Sequence, residues 1–419
     1  MHVVDVHDVI DRRAVTSVFQ PLVPLTGDGG VLGYEALSRG PAGTRWESPA
    51  VLFTEARAAG RDAELDWVCR VSAYRAALAA GLPPHVALFV NMEPEAWRTP
   101  CPPDLRPIVA AAEHRLHVIT EMTERTIADD PAALLSATAA CRAAGWGVAL
   151  DDVGANPESL ALMPFVRPDV VKLDMQLLHA PDDPHTARVV AAVSAYAESS
   201  GAVILAEGIE TPRHLATARV MGATVGQGWL HGRPAPLGPI DASPGAGFPF
   251  VTQPVDPDPG RTPFEVVSSR RAVRRTTKRD LMPLSRHLEA LAGEGPEPPV
   301  LLACFQHRRH FTAATARRFG RIAARSPLVA ALGEGLSEEP TPGVRGADLA
   351  FGDRLRGEWN VIVVGPHQAA ALVARDLADT GDDLDRRFDF ALTHDRALVV
   401  EAARALVGNL APAHAPSLV

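Results

Sequence analysis

The chain has 419 residues, a formal net charge of −9 and four cysteines. This length exceeds that of a typical single domain, and the acidic balance makes nucleic acid an unlikely partner. The cysteines (Cys69, Cys101, Cys141 and Cys304) form no C-x-x-C pair, the N-terminus carries no apolar signal segment, and no uncharged stretch reaches membrane-spanning length. We therefore expect a cytoplasmic protein with reduced thiols and no membrane association.

Short apolar runs rich in Val, Ile and Leu recur through the N-terminal half of the chain, as is typical of strands buried on both faces. Ala-rich stretches of helical length separate them, for example at 131–145 and 185–201. Strand and helix alternating in this way predict a parallel sheet and an α/β fold, a TIM-like β/α barrel. Polar residues end these runs: Glu35, Asn91, Glu121, Asp151, Asp152, Lys172, Asp174, Glu207 and Gln227.

The carboxyl ends of the strands meet at one mouth of such a barrel, so we expect these polar side chains to converge there. One acid at a strand end is usually the N-cap of the next helix. Acids on five separate strands cannot all be caps without strong mutual repulsion, and crowded carboxylates must take up protons or bind cations. Oxygen ligands without His or Cys favour Mg²⁺ or Mn²⁺ over zinc. The pattern therefore predicts a metal site.

Seven segments in this part of the chain resemble the motifs of EAL-domain phosphodiesterases, which hydrolyse cyclic di-GMP. In chain order they are FQPLVPLTGDGGVLGYEALSRG, LFVNMEP, ITEMTE, LDDVGA, VVKLD, AEGIET and GQGWLHGRP, and together they span about residues 14–236. The resemblance implies a TIM-like barrel, in agreement with the strand pattern. It also implies cyclic di-GMP as the substrate and a homodimer.

The resemblance assigns roles to individual residues, with two Mg²⁺ or Mn²⁺ ions as cofactors. Around the first ion it implies the ligands Glu35, Asn91, Glu121 and Asp151, and around the second Asp151, Asp152 and Glu207. Glu207 and Lys172 are the implied catalytic residues beside the attacking water. The implied substrate-binding residues are Gln20, Leu37, Arg39, Glu210 and Gln227, while Glu124 is expected to support a neighbouring loop.

Residues 153–159, which follow the two aspartates, depart from the family pattern. The family continues with Phe, Gly, a small residue and Gly, whereas this chain reads VGANPES. Pro157 restricts its own φ and disfavours helix at Asn156, so we expect a different loop conformation. Two hypotheses follow. The first is a phosphodiesterase that converts cyclic di-GMP to linear pGpG under the control of a C-terminal sensory domain. The alternative is a catalytically impaired EAL domain that acts as a cyclic di-GMP receptor.

We expect the barrel domain over 1–240, a linker rich in Pro and Gly over 241–263, a second α/β domain over 264–411 and a tail over 412–419. Phe248 and Phe250 indicate that the linker docks partly on a domain. In the second domain the patterns predict strands at 298–306, 358–366 and 388–393 and helices at 313–326, 367–379 and 395–410. Four features of this region resemble the DICT sensory domain: LMPLSRHLEALA, the strand end Cys304-Phe305-Gln306, the Trp359 strand and RRFDFALTHDRALVVEAARAL. The resemblance implies an unknown sensory ligand or partner.

Two further patterns in the second domain have competing interpretations. His307 and His310 would suit a metal site, but a solvated turn is favoured because no carboxylate or Cys lies nearby in sequence. The basic run 270–279 has helical spacing and would suit nucleic acid or an acidic surface. A solvated helix face is favoured, because the run lacks interleaved aromatic residues.

Overall fold

The structure, a computed structural model, forms two compact units. It describes residues 5–27, 30–93, 96, 99–123, 130–155, 160–238, 240, 247–249, 260–293 and 299–410. The first unit comprises 1–126, 136–155 and 167–255, and the second comprises 127–135, 156–166 and 256–419. Glu124, the loop residues 156–159, Phe250 and the tail 412–419 lie outside the described residues, as does most of the predicted linker.

The first unit contains a closed barrel whose strands follow each other in chain order. The strands are β1 (Thr16–Pro24), β2 (Gly33–Arg39), β3 (Ala87–Asn91), β4 (His117–Thr123), β5 (Gly147–Val153), β6 (Val170–Leu173), β7 (Val203–Ala206) and β8 (Val225–Gly226). The expected TIM-like α/β barrel is confirmed by this topology.

Helices occupy most of the connections between the barrel strands. They are α1 (Val6–Asp11), α2 (Pro49–Ala58), α3 (Asp62–Ala79), α4 (Arg106–Arg115), α5 (Pro131–Ala143), α6 (Met163–Val166), α7 (Met175–His179), α8 (Pro184–Ser200) and α9 (Pro212–Val220). Several of these helices have proline in the first turn. Proline lacks a backbone N–H, but an N–H at this position would have no acceptor within the helix, so no hydrogen bond is lost.

The expectation of a wholly parallel sheet is wrong for β1. This strand runs antiparallel to both β2 and β8, whereas the pairs from β2–β3 to β7–β8 are parallel. Only residues 25–32 separate β1 from β2, and so short a connection can only reverse the chain, because a parallel crossover needs a dozen residues or more. As a result, Gln20 lies directly opposite Glu35 in the register of the two strands.

Apolar side chains fill the interior of the barrel. The buried cluster consists of Leu22, Leu32, Ala87, Phe89, Ile119, Ala149, Val170, Val203, Leu205, Val225 and Phe248. Phe248 comes from the predicted linker and meets Phe89 edge-on, with 5.2 Å between the ring centroids. Its backbone N–H also donates to the carbonyl of His85. At Phe248 the predicted linker is therefore packed against the barrel, as expected.

The second unit is built on a mixed sheet with the strand order β12-β11-β10-β13-β14-β15-β9. Its strands are β9 (Arg274–Thr277), β10 (Val300–His307), β11 (Val329–Glu334), β12 (Arg345–Asp348), β13 (Glu358–Val364), β14 (Ala369–Asp376) and β15 (Arg387–Thr393). Its helices are α10 (Pro263–Ser268), α11 (Lys278–Leu291), α12 (Ala313–Ala323) and α13 (Arg396–Val407). Successive side chains of each strand point to opposite faces of the sheet. Helices α11 and α12 cover the apolar side chains of one face, and α10 and α13 also pack on strands of this sheet.

A buried carboxylate fixes the first helix of this unit. Glu358 accepts hydrogen bonds from the Thr262 hydroxyl, from the Phe264 backbone N–H at 3.1 Å and from Asn360 Nδ2 at 3.0 Å. Thr262 is also the N-cap of α10 and forms a reciprocal capping box with Glu265. Burial raises the pKa of Glu358, and these donors partly offset that increase.

Two secondary-structure expectations in the second domain are wrong. The Ala-rich stretch 367–379 was expected to be helical, but it contains β14, which pairs with β13 and β15 on its two sides. Residues 274–277 of the basic run form β9 instead of a helix face, and pair with β15. In both places ladder hydrogen bonds to distant strands override the local helical preference.

The cations of the basic run pair with acids of the same domain. The ion pairs are Arg271–Asp395 at 2.6 Å, Arg275–Asp389 at 2.8 Å, Lys278–Asp383 at 2.5 Å and Arg279–Asp385 at 3.1 Å. The run is therefore largely compensated within the domain. Among the described residues, no helix combines the length and the apolar character needed to cross a membrane.

Candidate functional site

The strand-end polar residues gather at one end of the barrel. Glu35 is the third residue of β2, Asn91 ends β3, and Glu121 and Asp151 lie near the ends of β4 and β5. Lys172 lies in β6, whereas Glu207 and Gln227 directly follow β7 and β8. Parallel strands from β2 to β8 bring these positions to one mouth.

Lys172 lies at the centre of this group and is buried, with 1% of its side chain exposed. Its Nζ lies 2.5 Å from Glu121 Oε1 and 2.7 Å from Glu207 Oε1. It also lies 2.9 Å from Asp151 Oδ1 and 3.7 Å from Glu35 Oε1. One ammonium is thus shared by four carboxylates from four strand ends, which leaves the cluster with an excess of negative charge.

Burial and crowding shift the pKa values of this cluster. Burial raises the pKa of Glu121 well above its ordinary value, and Glu35 adds to the shift. Burial also raises the pKa of Glu207 to about 8, with Lys172 partly offsetting the rise. For Lys172, burial favours the neutral amine, but Asp151 and the other carboxylates outweigh it and raise its pKa. The ammonium is therefore retained, and the surplus negative charge is relieved by protons or by further cations.

Two overlapping sets of carboxylates have the arrangement of a two-ion site. Glu35, Glu121 and Asp151 each offer an oxygen within 4.8 Å of the others, and so do Asp151, Asp152 and Glu207. Asp151 belongs to both sets. Hard divalent cations take oxygen ligands of this kind, so the donor chemistry fits Mg²⁺ or Mn²⁺. Asn91 adjoins the first set, because its Nδ2 donates to Glu121 Oε2 at 3.1 Å.

A local irregularity of β5 separates the two aspartates. The pairing of β5 with β6 shifts register between Leu150 and Val153, and Asp152 has a φ of 56°. Its backbone N–H donates to Asp151 Oδ1 at 3.0 Å. In a regular strand, adjacent side chains point to opposite faces, but the bulge lets both carboxylates contribute to the same metal set.

Two glutamines hold the carboxylate of Glu35 in place. Gln227 Nε2 donates to Glu35 Oε2 at 2.5 Å and to Gln20 Oε1 at 3.0 Å. Gln20 Nε2 in turn donates to the carbonyl of Gly232 at 3.0 Å. Both glutamines are buried. The sequence predicted substrate contacts for them, and the structure places them where they orient a predicted metal ligand.

Leu37 and Arg39 line a cavity of about 210 Å³ beside this mouth, and Asn91 also lines it. Arg39 is half-buried and donates through Nη1 to the carbonyl of Ser38 at 2.8 Å. The same cavity is lined by Asp66 and Arg70 of α3, a buried ion pair with 2.6 Å between Nε and Oδ2. The sequence analysis missed this pair, although an Asp and an Arg four residues apart in an apolar helix are a recognisable signal.

Two predicted or considered acids, Asp174 and Glu210, do not join the cluster. Asp174 follows β6, but its side chain accepts the backbone N–H of Gln176 at 2.7 Å and caps α7. Glu210 is exposed in the connection after β7. Glu124 lies outside the described residues. The capping interpretation, which is the usual one for a strand-end acid, therefore applies to Asp174.

Glycines are required at two points beside the cluster. Gly208, next to Glu207, has a φ of 65°, and a Cβ there would lie 2.4 Å from Met175 Cβ. Gly154, in the atypical loop, has a φ of 104°, and a Cβ there would lie 2.7 Å from a Leu177 methyl carbon. The carbonyl of Gly154 is also 2.8 Å from His185 Nε2. The first residues of the loop are thus held against α7 and α8.

Family comparisons agree with the two-unit division in outline. Residues 4–234 match the model of the EAL domain. Residues 266–377 match the model of DICT, described as a sensory domain in diguanylate cyclases and two-component systems. The predicted order, an EAL-type barrel followed by a DICT-like domain, is confirmed.

Curated relatives match the EAL part of the chain. An uncharacterised protein of Azorhizobium caulinodans is 32% identical over 55% of this chain and 33% of its own length. The probable cyclic di-GMP phosphodiesterase PdeB of Escherichia coli is 28% identical over 55% of this chain and 44% of its own length. The chain therefore spans less than half the length of these relatives.

Solved structures align with the same region. The PaMucR phosphodiesterase in complex with c-di-GMP is 26% identical, with a TM-score of 0.47, over 55% of this chain and 96% of that one. A manganese and cy-diGMP complex of Klebsiella pneumoniae BlrP1 is 27% identical, with a TM-score of 0.46, over 53% and 56% of the two chains. With the EAL model matched over more than half of its residues, this chain belongs to the EAL domain family and carries a DICT domain after its barrel.

Proposed function

We propose that this protein is a divalent-metal-dependent phosphodiesterase that hydrolyses cyclic di-GMP to linear pGpG and is regulated by its DICT domain. The observation that carries the proposal is the pair of carboxylate sets that share Asp151 and surround Lys172. Relatives named as cyclic di-GMP phosphodiesterases, among them PdeB and RocR of Pseudomonas aeruginosa, support the choice of substrate.

The first ion would be held by Glu35, Asn91, Glu121 and Asp151, and the second by Asp151, Asp152 and Glu207. Bound divalent ions lower the pKa of water and neutralise phosphate charge, which makes an acidic mouth suitable for an anionic substrate. Gln227 and Gln20 keep the Glu35 carboxylate oriented through their hydrogen bonds.

Glu207 is suited to accept the proton of the attacking water. Its carboxylate lies in the second metal set beside Lys172, and a carboxylate positioned within reach of the attacking water can act as a general base. Lys172, 2.7 Å from this carboxylate, orients it and compensates negative charge as the phosphodiester is attacked. Both residues sit at barrel strand ends, so their separation is set by the sheet and not by a loop.

Substrate contacts come from the neighbouring cavity. Arg39 at the end of β2 presents a guanidinium that suits a phosphodiester oxygen, because its planar fork can donate two hydrogen bonds. Leu37 supplies an apolar contact in the same cavity. Gln20, Gln227 and the exposed Glu210 complete the proposed substrate-binding set.

The second candidate function is a receptor that binds cyclic di-GMP without hydrolysing it. The sequence of residues 153–159 favours this alternative, because it has Pro157 and lacks the second glycine of the family pattern next to Asp152, and we expect a different loop conformation from it. The two candidates share substrate binding and differ in turnover.

The deciding experiment incubates the purified full-length protein with cyclic di-GMP and Mg²⁺ or Mn²⁺ and follows pGpG by chromatography. We expect pGpG to form, and we expect Asp151→Asn to abolish its formation, since one charge is lost from both sets. Asp174→Asn is the matched control, because Asp174 caps α7 and belongs to neither set. Binding without pGpG would favour the receptor, and wild-type turnover in Asp151→Asn would contradict the two-ion assignment.

We also propose a cytoplasmic location, supported by the four free cysteines, which are common in a reducing compartment. The homodimer implied by the family stays a prediction, and sedimentation analysis of the purified protein with and without Mg²⁺ tests it.

A further inference from the structure

The DICT domain contains a cavity of about 320 Å³. It lies at the ends of β10 and β13, beside α11 and α12, and residues of the connection between β14 and β15 close one side. This volume is at the lower end of the range for small-molecule sites. All the described residues that line it belong to the second unit, so this lining comes from the sensory domain.

Aromatic rings form one wall of the cavity. Trp359 and Phe388 line it and meet edge-on, with 5.8 Å between centroids and 73° between planes. Phe305 also lines it and is held edge-on by Phe311 and Phe319, with centroid distances of 5.3 and 5.5 Å. Rings that support each other in this way form a stiff apolar surface, and a flat ring can stack on such a surface.

A polar side chain next to Phe305 is also fixed in the lining. Gln306 has a φ of 63°, at the point where the pairing of β10 with β11 shifts register. Its Nε2 donates to Asp376 Oδ2 at 3.1 Å, and its Oε1 accepts from Arg386 Nη2 at 3.2 Å. Positive φ at a residue other than glycine is strained and is found most often where function demands it. The strand irregularity and the two bonds therefore hold the Gln306 amide in the cavity wall.

The charges of the lining do not balance. Lys278 pairs with Asp383 at 2.5 Å, and Arg318 pairs with the buried Glu289 at 2.8 Å. Two more cations, Arg286 and Arg309, line the cavity from exposed positions, and within the described part of the chain neither has an ion-pair partner. Arg309 Nε lies 3.4 Å from His310 Nε2. The lining thus has two uncompensated positive charges, in a protein whose formal net charge is −9.

His310 adds a hydrogen-bonding group without adding charge. Its Nδ1 lies 3.3 Å from Lys278 Nζ, and the ring is half-buried in the lining. Burial and the neighbouring Lys278 ammonium lower the pKa of His310 to about 4, so the imidazole is neutral at neutral pH. The excess positive charge is therefore carried by the two arginines.

We propose that this cavity binds a small planar aromatic or heteroaromatic molecule of one or two fused rings that carries a single anionic group. The ring packs against the half-buried Trp359, which Phe388 contacts edge-on, and the anion pairs with Arg286 and Arg309. This is the sensory ligand site of the DICT domain, and it does not depend on catalysis by the barrel. Failure of one proposal therefore leaves the other standing.

The test uses the full-length protein and three probes in ligand-observed NMR titrations. The probe 2-naphthoate has both required features, 2-naphthalenemethanol lacks the charge, and cyclohexanecarboxylate lacks the aromatic ring. We expect 2-naphthoate to bind about tenfold or more tightly than either comparator, since a charge-assisted contact or a ring stack is missing from each. No binding of 2-naphthoate, or equal binding of all three, would overturn the proposal.

Variants locate the bound probe. The double variant Arg286→Gln, Arg309→Gln should weaken 2-naphthoate binding about tenfold or more while leaving 2-naphthalenemethanol unchanged. Ala314→Trp, an exposed position on α12 that lines the cavity, should block both naphthalene probes without disturbing the core. The matched control is Arg321→Gln on the same helix but outside the lining, and it should bind as wild type does.

Each variant's thermal unfolding is compared with that of wild type, so that a folding defect is recognised. If folded Ala314→Trp protein binds 2-naphthoate as wild type does, the probe lies elsewhere and the cavity is not the site. If the double variant binds 2-naphthoate unchanged, the two arginines do not recognise the anion and the assigned ligand class is wrong.

Discussion

Replacing Lys172 with Met tests whether one ammonium compensates the acidic mouth. The chain has only two lysines, Lys172 and Lys278, against many arginines, and the compact ammonium at 172 fits between four carboxylates. Methionine keeps the length and apolar stem of the side chain and removes only the charge. The substitution therefore leaves the buried carboxylates without their shared cation.

The burial of Lys172 among four carboxylates determines how much stability the substitution should remove. Removing one partner of a buried ion pair costs about 3–5 kcal/mol, because the remaining charge is left buried without compensation. In a unit of this size, that loss lowers the Tm by roughly 6–20 °C. Protonation of Glu121 and Glu207, whose pKa values are already raised, relieves part of the loss at low pH. The loss of stability should therefore be larger at pH 8 than at pH 6.

The assay is thermal unfolding of the full-length protein at both pH values, in EDTA and with millimolar Mg²⁺. We expect the largest fall in Tm in EDTA at pH 8 and a smaller one with Mg²⁺, because cations that bind only the folded state stabilise it. Lys278→Met is the matched control. Its ion pair with the exposed carboxylate of Asp383 contributes about 1 kcal/mol or less. A Tm of Lys172→Met equal to that of wild type in EDTA would refute the reasoning.

Three further predictions concern pH, substrate and stability. The pKa of Glu207, raised to about 8, means that metal binding must displace a proton below that pH. The apparent affinity for Mn²⁺ should therefore rise from pH 6 to pH 8 in calorimetric titrations. The rise should be smaller in Glu207→Gln, where the raised pKa of Glu121 remains, and a slope equal to that of wild type would contradict this. Arg39→Ala should weaken cyclic di-GMP binding by about 1.5–3 kcal/mol, because a charge-assisted hydrogen bond to phosphate is lost. The affinity is measured by calorimetry in the Glu207→Gln variant, which we expect not to hydrolyse the ligand. An unchanged affinity would show that Arg39 does not contact the substrate. Thr262→Val should lower the unfolding free energy of the DICT domain by about 1–3 kcal/mol, measured by urea denaturation, since it removes a helix cap and a donor to buried Glu358. A loss of about 0.3 kcal/mol or less would show that neither hydrogen bond stabilises the domain.

Local pattern was enough to predict the barrel and the membership of most of its acidic mouth. A parallel strand buried on both faces must be a short apolar run, and its carboxyl end must lie at the same rim as its neighbours' ends. Glu121, Asp151 and Glu207 could therefore be placed together from spacing alone. For Glu35, Asn91 and Lys172 the same rule held. Their roles as ligands and catalytic groups came from family resemblance and stay predictions.

Tertiary structure alone decided the features that depend on distant partners. The short connection after β1 reversed that strand and set Gln20 opposite Glu35. Asp174 and Glu207 both follow strands, yet Asp174 caps a helix and Glu207 lies 2.7 Å from Lys172, and their position after a strand does not distinguish them.

In the DICT domain the same limit appears as errors of secondary structure. The Ala-rich β14 has the composition of a helix, but β13 and β15 supply ladder partners on both of its edges. Most cations of the basic run at 270–279 found acids more than a hundred residues away in sequence. The periodicity of apolar residues depends only on the surroundings of one segment. Strand pairing and charge compensation depend on which distant segments come into contact in the folded chain.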